Sequence, residues 1–142
     1  MDIVIDFDGT VVTHDFPEVG KDIGAESVLK KLVEAGHNLI LFTMRSNNGD
    51  LPLITEKGIV PVNGDYLDHA VKWFEEKGIR LHGIQKNPTQ HTWTTSPKAY
   101  GQIIIDDAAL GCPLKIDRTI SERPFVDWNS VENILASNGL LK

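Results

Sequence analysis

The sequence predicts an α/β fold: a doubly wound, mainly parallel sheet in a three-layer α/β/α arrangement, formed as one domain over residues 1–142. Three observations carry this. Apolar runs of strand length, "DIVIDF", "HNLILFT" and "QIIID", alternate with stretches whose apolar residues recur at helical spacing. The joints "EAGHNLI" and "EKGIRLHGI" both read helix, glycine, strand. The strand-like runs have continuously apolar centres, Ile3-Val4-Ile5, Leu39-Ile40-Leu41-Phe42 and Ile103-Ile104-Ile105, and do not alternate, as expected of parallel strands covered on both faces.

Taken in order, Asp2 to Phe7 is the first strand, and residues 9 to 23 form a polar loop punctuated by glycine and proline. Ala25, Val28, Leu29, Leu32 and Val33 mark a helix that Gly36 ends. His37 to Thr43 is the second buried strand. A loop with Asn47, Asn48, Gly49 and Pro52 follows, with one short helix expected before Pro61. Leu67, Ala70, Val71 and Phe74 define a helix opened near Asn63 and closed by Gly78, and Ile79 to Ile84 is the third strand. Lys86 to Pro97 is a polar connection carrying Trp93, and Gln102 to Asp106 is the fourth strand. A weaker strand lies around Phe125–Val126. The last helix starts near Asn129, where Asn129-x-x-Glu132 has the form of a capping box, and is expected to bury Val131, Ile134 and Leu135.

The composition bounds the function. With 41% apolar and 24% charged residues in 142, the chain is an ordinary globular domain able to build one core. No apolar run approaches the ~20 residues of a membrane span. The chain opens directly into a strand with no tripartite leader, and its one cysteine, Cys112, has no internal partner. A cytoplasmic location is therefore expected. A net charge of −6 argues against a broad nucleic-acid surface, where a basic footprint would be expected, and leaves room only for a local basic patch.

In parallel sheets the ligand site lies beyond the carboxyl ends of the strands. The first strand ends in Asp6-Phe7-Asp8-Gly9-Thr10, the second in Thr43-Met44-Arg45 and the fourth in Asp106-Asp107, with Lys98 shortly before that strand. Residues i and i+2 of a strand share a face, so Asp6 and Asp8 are placed to address one pocket. Like charges about 4 Å apart repel by ~4 kcal/mol at an effective dielectric of 20, so the cluster calls for a counter-ion. A set of oxygen ligands without soft donors favours Mg²⁺, which takes one or two carboxylates, waters and a substrate phosphate. Thr43 and Lys98 would then meet the remaining phosphate oxygens. Gly9 lets the chain leave the strand sharply and brings backbone N–H groups toward the pocket.

These residues resemble the haloacid dehalogenase-like phosphohydrolases. Asp6–Thr10 matches that family's DxDx(T/V) motif, and Leu39–Thr43 its apolar strand ending in Thr or Ser. Lys98 matches the lysine ahead of the last acidic strand, with Lys86 as its rival, and Ile103–Asp107 matches the terminal acidic pair. The resemblance implies a Rossmann-like core and a Mg²⁺-dependent phosphatase acting on a phosphomonoester through an aspartyl-phosphate. Asp6 is implied as nucleophile and Asp8 as general acid and then base. Mg²⁺ would be held by the Asp6 carboxylate, the Asp8 carbonyl and the acidic pair, Asp106 directly and Asp107 directly or through water. Thr43, Lys98 and the metal would neutralise the transferring phosphoryl group. Gly9 and Thr10 would shape the substrate side of the turn. Arg45, two residues from Thr43 and on the same face, is placed to touch substrate or to form a surface ion pair.

Positions 7 to 42 and 85 to 97 leave no room for an inserted domain, so the resemblance is to capless members. The site is then expected to be open unless a second subunit of a homo-oligomer covers it. A small-molecule phosphomonoester is the expected substrate, with a phosphorylated protein or nucleic-acid end, or a non-catalytic receiver-like phosphate-binding role, as alternatives. His14 reads as a loop histidine, and Trp73 as core. Trp93 and Trp128 fit either packing or a pocket wall, and nothing beside Cys112 marks it as a nucleophile.

Overall fold

The apolar run Ile3-Val4-Ile5 becomes the centre of a parallel sheet because both of its faces and both of its edges are covered. The computed structural model describes residues 1–47, 53–60 and 64–142. Along the chain the elements are β1 (Asp2–Ile5), α1 (Ala25–Glu34), β2 (Asn38–Leu41), β3 (Leu53–Thr55), β4 (Gly58–Val60), α2 (Tyr66–Glu76), β5 (Gly83–Ile84), β6 (Ile103–Ile105), β7 (Leu114–Lys115), β8 (Phe125–Val126) and α3 (Trp128–Ser137). Four strands form the parallel sheet in the order β5-β2-β1-β6. Ile3 lies between Leu39 and Ile103, and Ile5 faces Leu41 and Ile105 across the two ladders. The chain steps outward from β1 to β2 to β5 and then jumps back over β1 to β6. That reversal of strand order puts the carboxyl ends of β1 and β6 beside each other at a switch point.

The two faces of the sheet are covered differently. Ile3, Ile5, Leu39, Leu41 and Ile105 share one cluster with the buried faces of α1, α2 and α3. Phe7 joins it, fully buried, with its ring edge-on to Trp73 and tilted against Phe74, both at 6.2 Å. Burying a side chain of that size is worth ~1.5–3 kcal/mol, so Phe7 anchors the segment between the two aspartates. The opposite face carries Val4 and Ile40 under Ala99. The β5–β6 connection crosses there with only one 3-10 turn, Gln90–Thr92, and leaves Ile104 half-exposed. The expected helical layer on this face is therefore replaced by irregular chain, because residues 85–102 have no apolar periodicity with which to build a helix.

Local chemistry explains the ends of the elements. Gly36 (φ +90°) and Gly78 (φ +70°) take the left-handed conformation after α1 and α2. The next residues then donate back into the helices, His37 N–H to Leu32 O (3.1 Å) and Ile79 N–H to Phe74 O (2.9 Å). The third strand is shorter than expected: only Gly83–Ile84 pairs with β2. Residues 53–60 form an antiparallel hairpin in place of the expected short helix, with Ile54 opposite Ile59. Asn48, Gly49, Pro52, Pro61 and Asn63 lie outside the described residues.

The last helix is capped by Asp127, whose carboxylate accepts from the N–H (3.4 Å) and hydroxyl (2.8 Å) of Ser130. The expected Asn129 cap is thus displaced by two residues. Glu132 reaches Lys31 on α1 instead of closing a capping box. Val131 and Leu135 are buried as expected, whereas Ile134 is half-exposed. Among the described residues no helix is long and apolar enough to cross a membrane.

Candidate functional site

The site grows out of the turn that follows β1. Asp6 N–H still bonds the sheet, donating to Ile105 O at 3.1 Å, and the chain then closes tightly. The carbonyl of Phe7 accepts from Thr10 and Val11, and Gly9 N–H donates to Val12 O at 2.7 Å. Gly9 sits at φ +79°, and a Cβ there would strike the His14 ring, so only glycine fits the position. The turn is braced from the far end of the chain. Val126 N–H donates to Gly9 O (3.0 Å), and the buried indole of Trp128 donates to Thr10 O (2.7 Å). Trp128 is therefore a packing residue that holds the site turn in place. Trp93 lies exposed against Tyr100.

Because β1 and β6 are neighbours in register, Asp6 meets Asp106 and Asp107. One carboxylate oxygen from each lies within 4.8 Å of the other two. Thr10, fully buried, ties them together. Its hydroxyl lies 3.0 Å from Asp6 Oδ2 and 3.1 Å from Asp107 Oδ1, positioned to donate to either, and accepts from Asp107 N–H at 3.0 Å. Asp106 Oδ1 accepts from Ala108 N–H at 2.8 Å. His14 Nε2 lies 2.8 Å from Asp107 Oδ2. The histidine read as a loop residue is therefore part of the acidic cluster. Its one sequence signal was its place in the loop after the DxD segment.

The electrostatics of this cluster are unbalanced. Burial, and then the charge of Asp106, push the Asp6 carboxyl up to about 8. Burial also works against the Asp107 charge, but hydrogen bonds from His14 and Asp6 outweigh it and hold that group below its ordinary value. Protein groups alone thus leave one of the acids needing either a proton or a cation. The donor set, three carboxylates with no soft atom among them, fits a hard divalent ion such as Mg²⁺. Cys112 is half-buried near these acids, and burial, with their charge, pushes its thiol up. That environment disfavours the reactive thiolate.

Asp8 takes a different course from Asp6. Arg45 grips it in a two-pronged bond, Nε to Oδ2 and Nη2 to Oδ1, both 2.8 Å. The other guanidinium hydrogens go to the carbonyls of Glu18 (2.7 Å), Tyr66 (3.3 Å) and Pro17 (3.4 Å). The Phe7 and Phe16 rings each lie 5.1 Å from the guanidinium carbon. At 3% exposure, with all its donors engaged, Arg45 has none left for substrate, and its place is that of an internal clamp on Asp8. The two aspartates therefore do not address the pocket as equivalents.

Gly9 and Thr10 depart from the expected substrate role in the same way. Gly9 N–H is used within the turn, as is that of Thr10, and the Thr10 hydroxyl serves the acidic cluster. Thr43 is half-buried. Its hydroxyl oxygen accepts from Arg45 N–H at 3.1 Å, and its N–H donates to Gln85 Oε1 at 2.8 Å. Gln85, at φ 66°, also donates to the Thr43 and Arg45 carbonyls and so fixes the end of β2. No motif pointed to Gln85; its position just past the third strand was the available hint. Lys98 and Lys86 are both exposed, and among the described residues neither ammonium is bonded to an acid of the cluster.

No family model and no curated protein matches the chain. A solved structure does. It is that of a conserved protein coded by a locus from Bacteroides thetaiotaomicron, with a TM-score of 0.69 and 28% identity. The match covers 97% of this chain and 91% of that one. The likeness extends over the whole α/β architecture with its parallel sheet.

Proposed function

We propose that the protein is a Mg²⁺-dependent phosphomonoesterase that works through Asp6. The observation that carries the reading is the convergence of Asp6, Asp106 and Asp107 at the switch point between β1 and β6. Bound there, Mg²⁺ would supply positive charge to the carboxylates and to the non-bridging oxygens of a phosphoryl group. Asp6, Asp106 and Asp107 are the residues that would hold it, and Thr10 and His14 keep two of those carboxylates oriented.

In the proposed reaction an Asp6 oxygen attacks phosphorus, and the bond to the leaving oxygen breaks as that oxygen takes a proton from Asp8. Water then attacks the aspartyl-phosphate, Asp8 takes the water's proton, and inorganic phosphate leaves. For that work one Asp8 oxygen has to turn out of the Arg45 fork. Thr43 retains its O–H to donate to phosphate, because its oxygen is the acceptor in the bond with Arg45. A flexible lysine from the neighbouring connection, Lys98 or Lys86, completes the charge on the phosphate side.

The test is hydrolysis of p-nitrophenyl phosphate with and without Mg²⁺. Wild type should turn over only with the metal, and Asp6→Asn should be inactive with an unchanged near-ultraviolet circular dichroism spectrum. Full activity in Asp6→Asn, or no metal-dependent turnover in wild type, refutes the proposal.

A further inference from the structure

The β3–β4 hairpin lies against the loop that carries His14. Lys57 Nζ donates to Asp15 O (2.9 Å) and Asp15 Oδ1 (2.6 Å), and Arg123 Nη1 lies 3.6 Å from Glu56 Oε1. These contacts border an open cleft of about 350 Å³ between the hairpin, residues 14–16 and Arg123. That volume is at the small end of ligand pockets, which run from ~300 to 1,000 Å³. His14 lines the cleft and also bonds Asp107, so one side chain separates this space from the acidic cluster.

We propose that this cleft receives the organic part of the substrate, and that the substrate is a phosphomonoester of an uncharged, largely apolar alcohol or phenol. The inference rests on the phosphomonoesterase reading and adds to it a place and a chemical class for the leaving group. Its chemistry follows from the walls. Phe16 and Ile54 are the apolar groups. Arg45 and Tyr66 already pack on the Phe16 ring, which fixes its plane. Each of the two cations is matched by an acid, Lys57 by Asp15 and Arg123 by Glu56, so the cleft offers no surplus charge to a second anionic group. A carboxylate or second phosphate would have to break one of those pairs to bind.

The hairpin itself gives a second reason. Ile54 and Ile59 face each other across the ladder and stand 83% and 79% exposed. A two-stranded ribbon is marginal in water without an apolar surface to cover. An apolar ligand in the cleft covers Ile54 on the side that faces His14.

The experiment compares 1-naphthyl phosphate with phosphoglycolate, whose leaving group carries a carboxylate. Wild type should prefer 1-naphthyl phosphate in kcat/KM. Ile54→Ser removes three side-chain carbons and should lower that preference at least about tenfold through KM, since a single methylene of apolar contact is already worth about that much. Preference for phosphoglycolate, or an unchanged ratio in Ile54→Ser, overturns the proposal.

Binding separates this proposal from the catalytic one. Titrating the Mg²⁺-loaded protein with 1-naphthylphosphonic acid, which cannot be hydrolysed, should shift the Ile54 methyl and His14 ring resonances saturably. The Ile104 methyl on the far face of the sheet should stay still. Such shifts without turnover of any ester would refute the phosphomonoesterase while keeping the binding site. Turnover without them would refute the binding site while keeping the enzyme.

Discussion

Asp6 is the group whose removal should change stability in a direction opposite to its effect on activity. Its carboxyl lies near 8 in the folded protein against an ordinary 3.8, because burial and the Asp106 charge both penalise ionisation. Between those two values the folded protein holds a proton that the unfolded chain has released. Metal-free stability must then fall as pH rises, by about 1.4 kcal/mol per pH unit for this one group. From pH 5 to pH 7 the loss is roughly 3 kcal/mol, a large part of the ~5–15 kcal/mol that holds a domain together. Asp107 does not blur this window. Its folded value is depressed, so its contribution is present above the ordinary carboxylate range and is lost only as pH falls below it.

Asp6→Asn imitates the protonated acid without titrating. Urea unfolding in chelator at pH 5 and pH 7 should show wild type losing roughly 3 kcal/mol more than Asp6→Asn over that interval. Taking the difference between the two proteins cancels the groups that do not interact with Asp6; Asp106 and Asp107, which do, belong to the cluster under test. Mg²⁺ should remove the difference by replacing the proton, and its binding below pH 8 should release protons measurable in weakly buffered solution. Equal pH slopes for the two proteins would refute the electrostatic account of the cluster.

Other perturbations probe the two arms that hold the acids. Arg45→Ala leaves Asp8 and three carbonyls without their donor and should cost about 3–5 kcal/mol by urea unfolding. Arg45→Lys should recover little of this, since an ammonium cannot form the two-pronged bond. His14→Ala frees Asp107 on one side and should weaken Mg²⁺ binding about 10- to 100-fold by isothermal titration calorimetry, with the fold retained.

Much of the molecule was legible in local chemistry. Apolar runs without alternation gave the parallel strands, and helical spacing ending in Gly36 and Gly78 located α1 and α2. Acids placed after β1 and β6 located the cluster, because any two neighbouring parallel strands bring their carboxyl ends together. These features repeat within a few residues, so the chain displays them before it folds. The hairpin at 53–60 was not legible, since a ladder three residues long has too few alternations to register as a pattern. The missing helical layer belongs with it: whether a polar connection crosses a sheet as helix or as loop depends on what it crosses.

The differences between the two aspartates came only from tertiary structure. Asp6 and Asp8 are near-identical in sequence context. What separates them is a β6 that runs beside one and an arginine, thirty-seven positions on, that folds back onto the other. The roles of Arg45, His14 and Thr10 were decided in the same way, by partners distant in sequence that no local pattern reports. Residue type and spacing determined which acids exist at the strand ends. Three-dimensional packing determined which of them share a charge, which is clamped, and what space lies beside them, because burial and Coulomb energy depend on distances that only the folded chain defines.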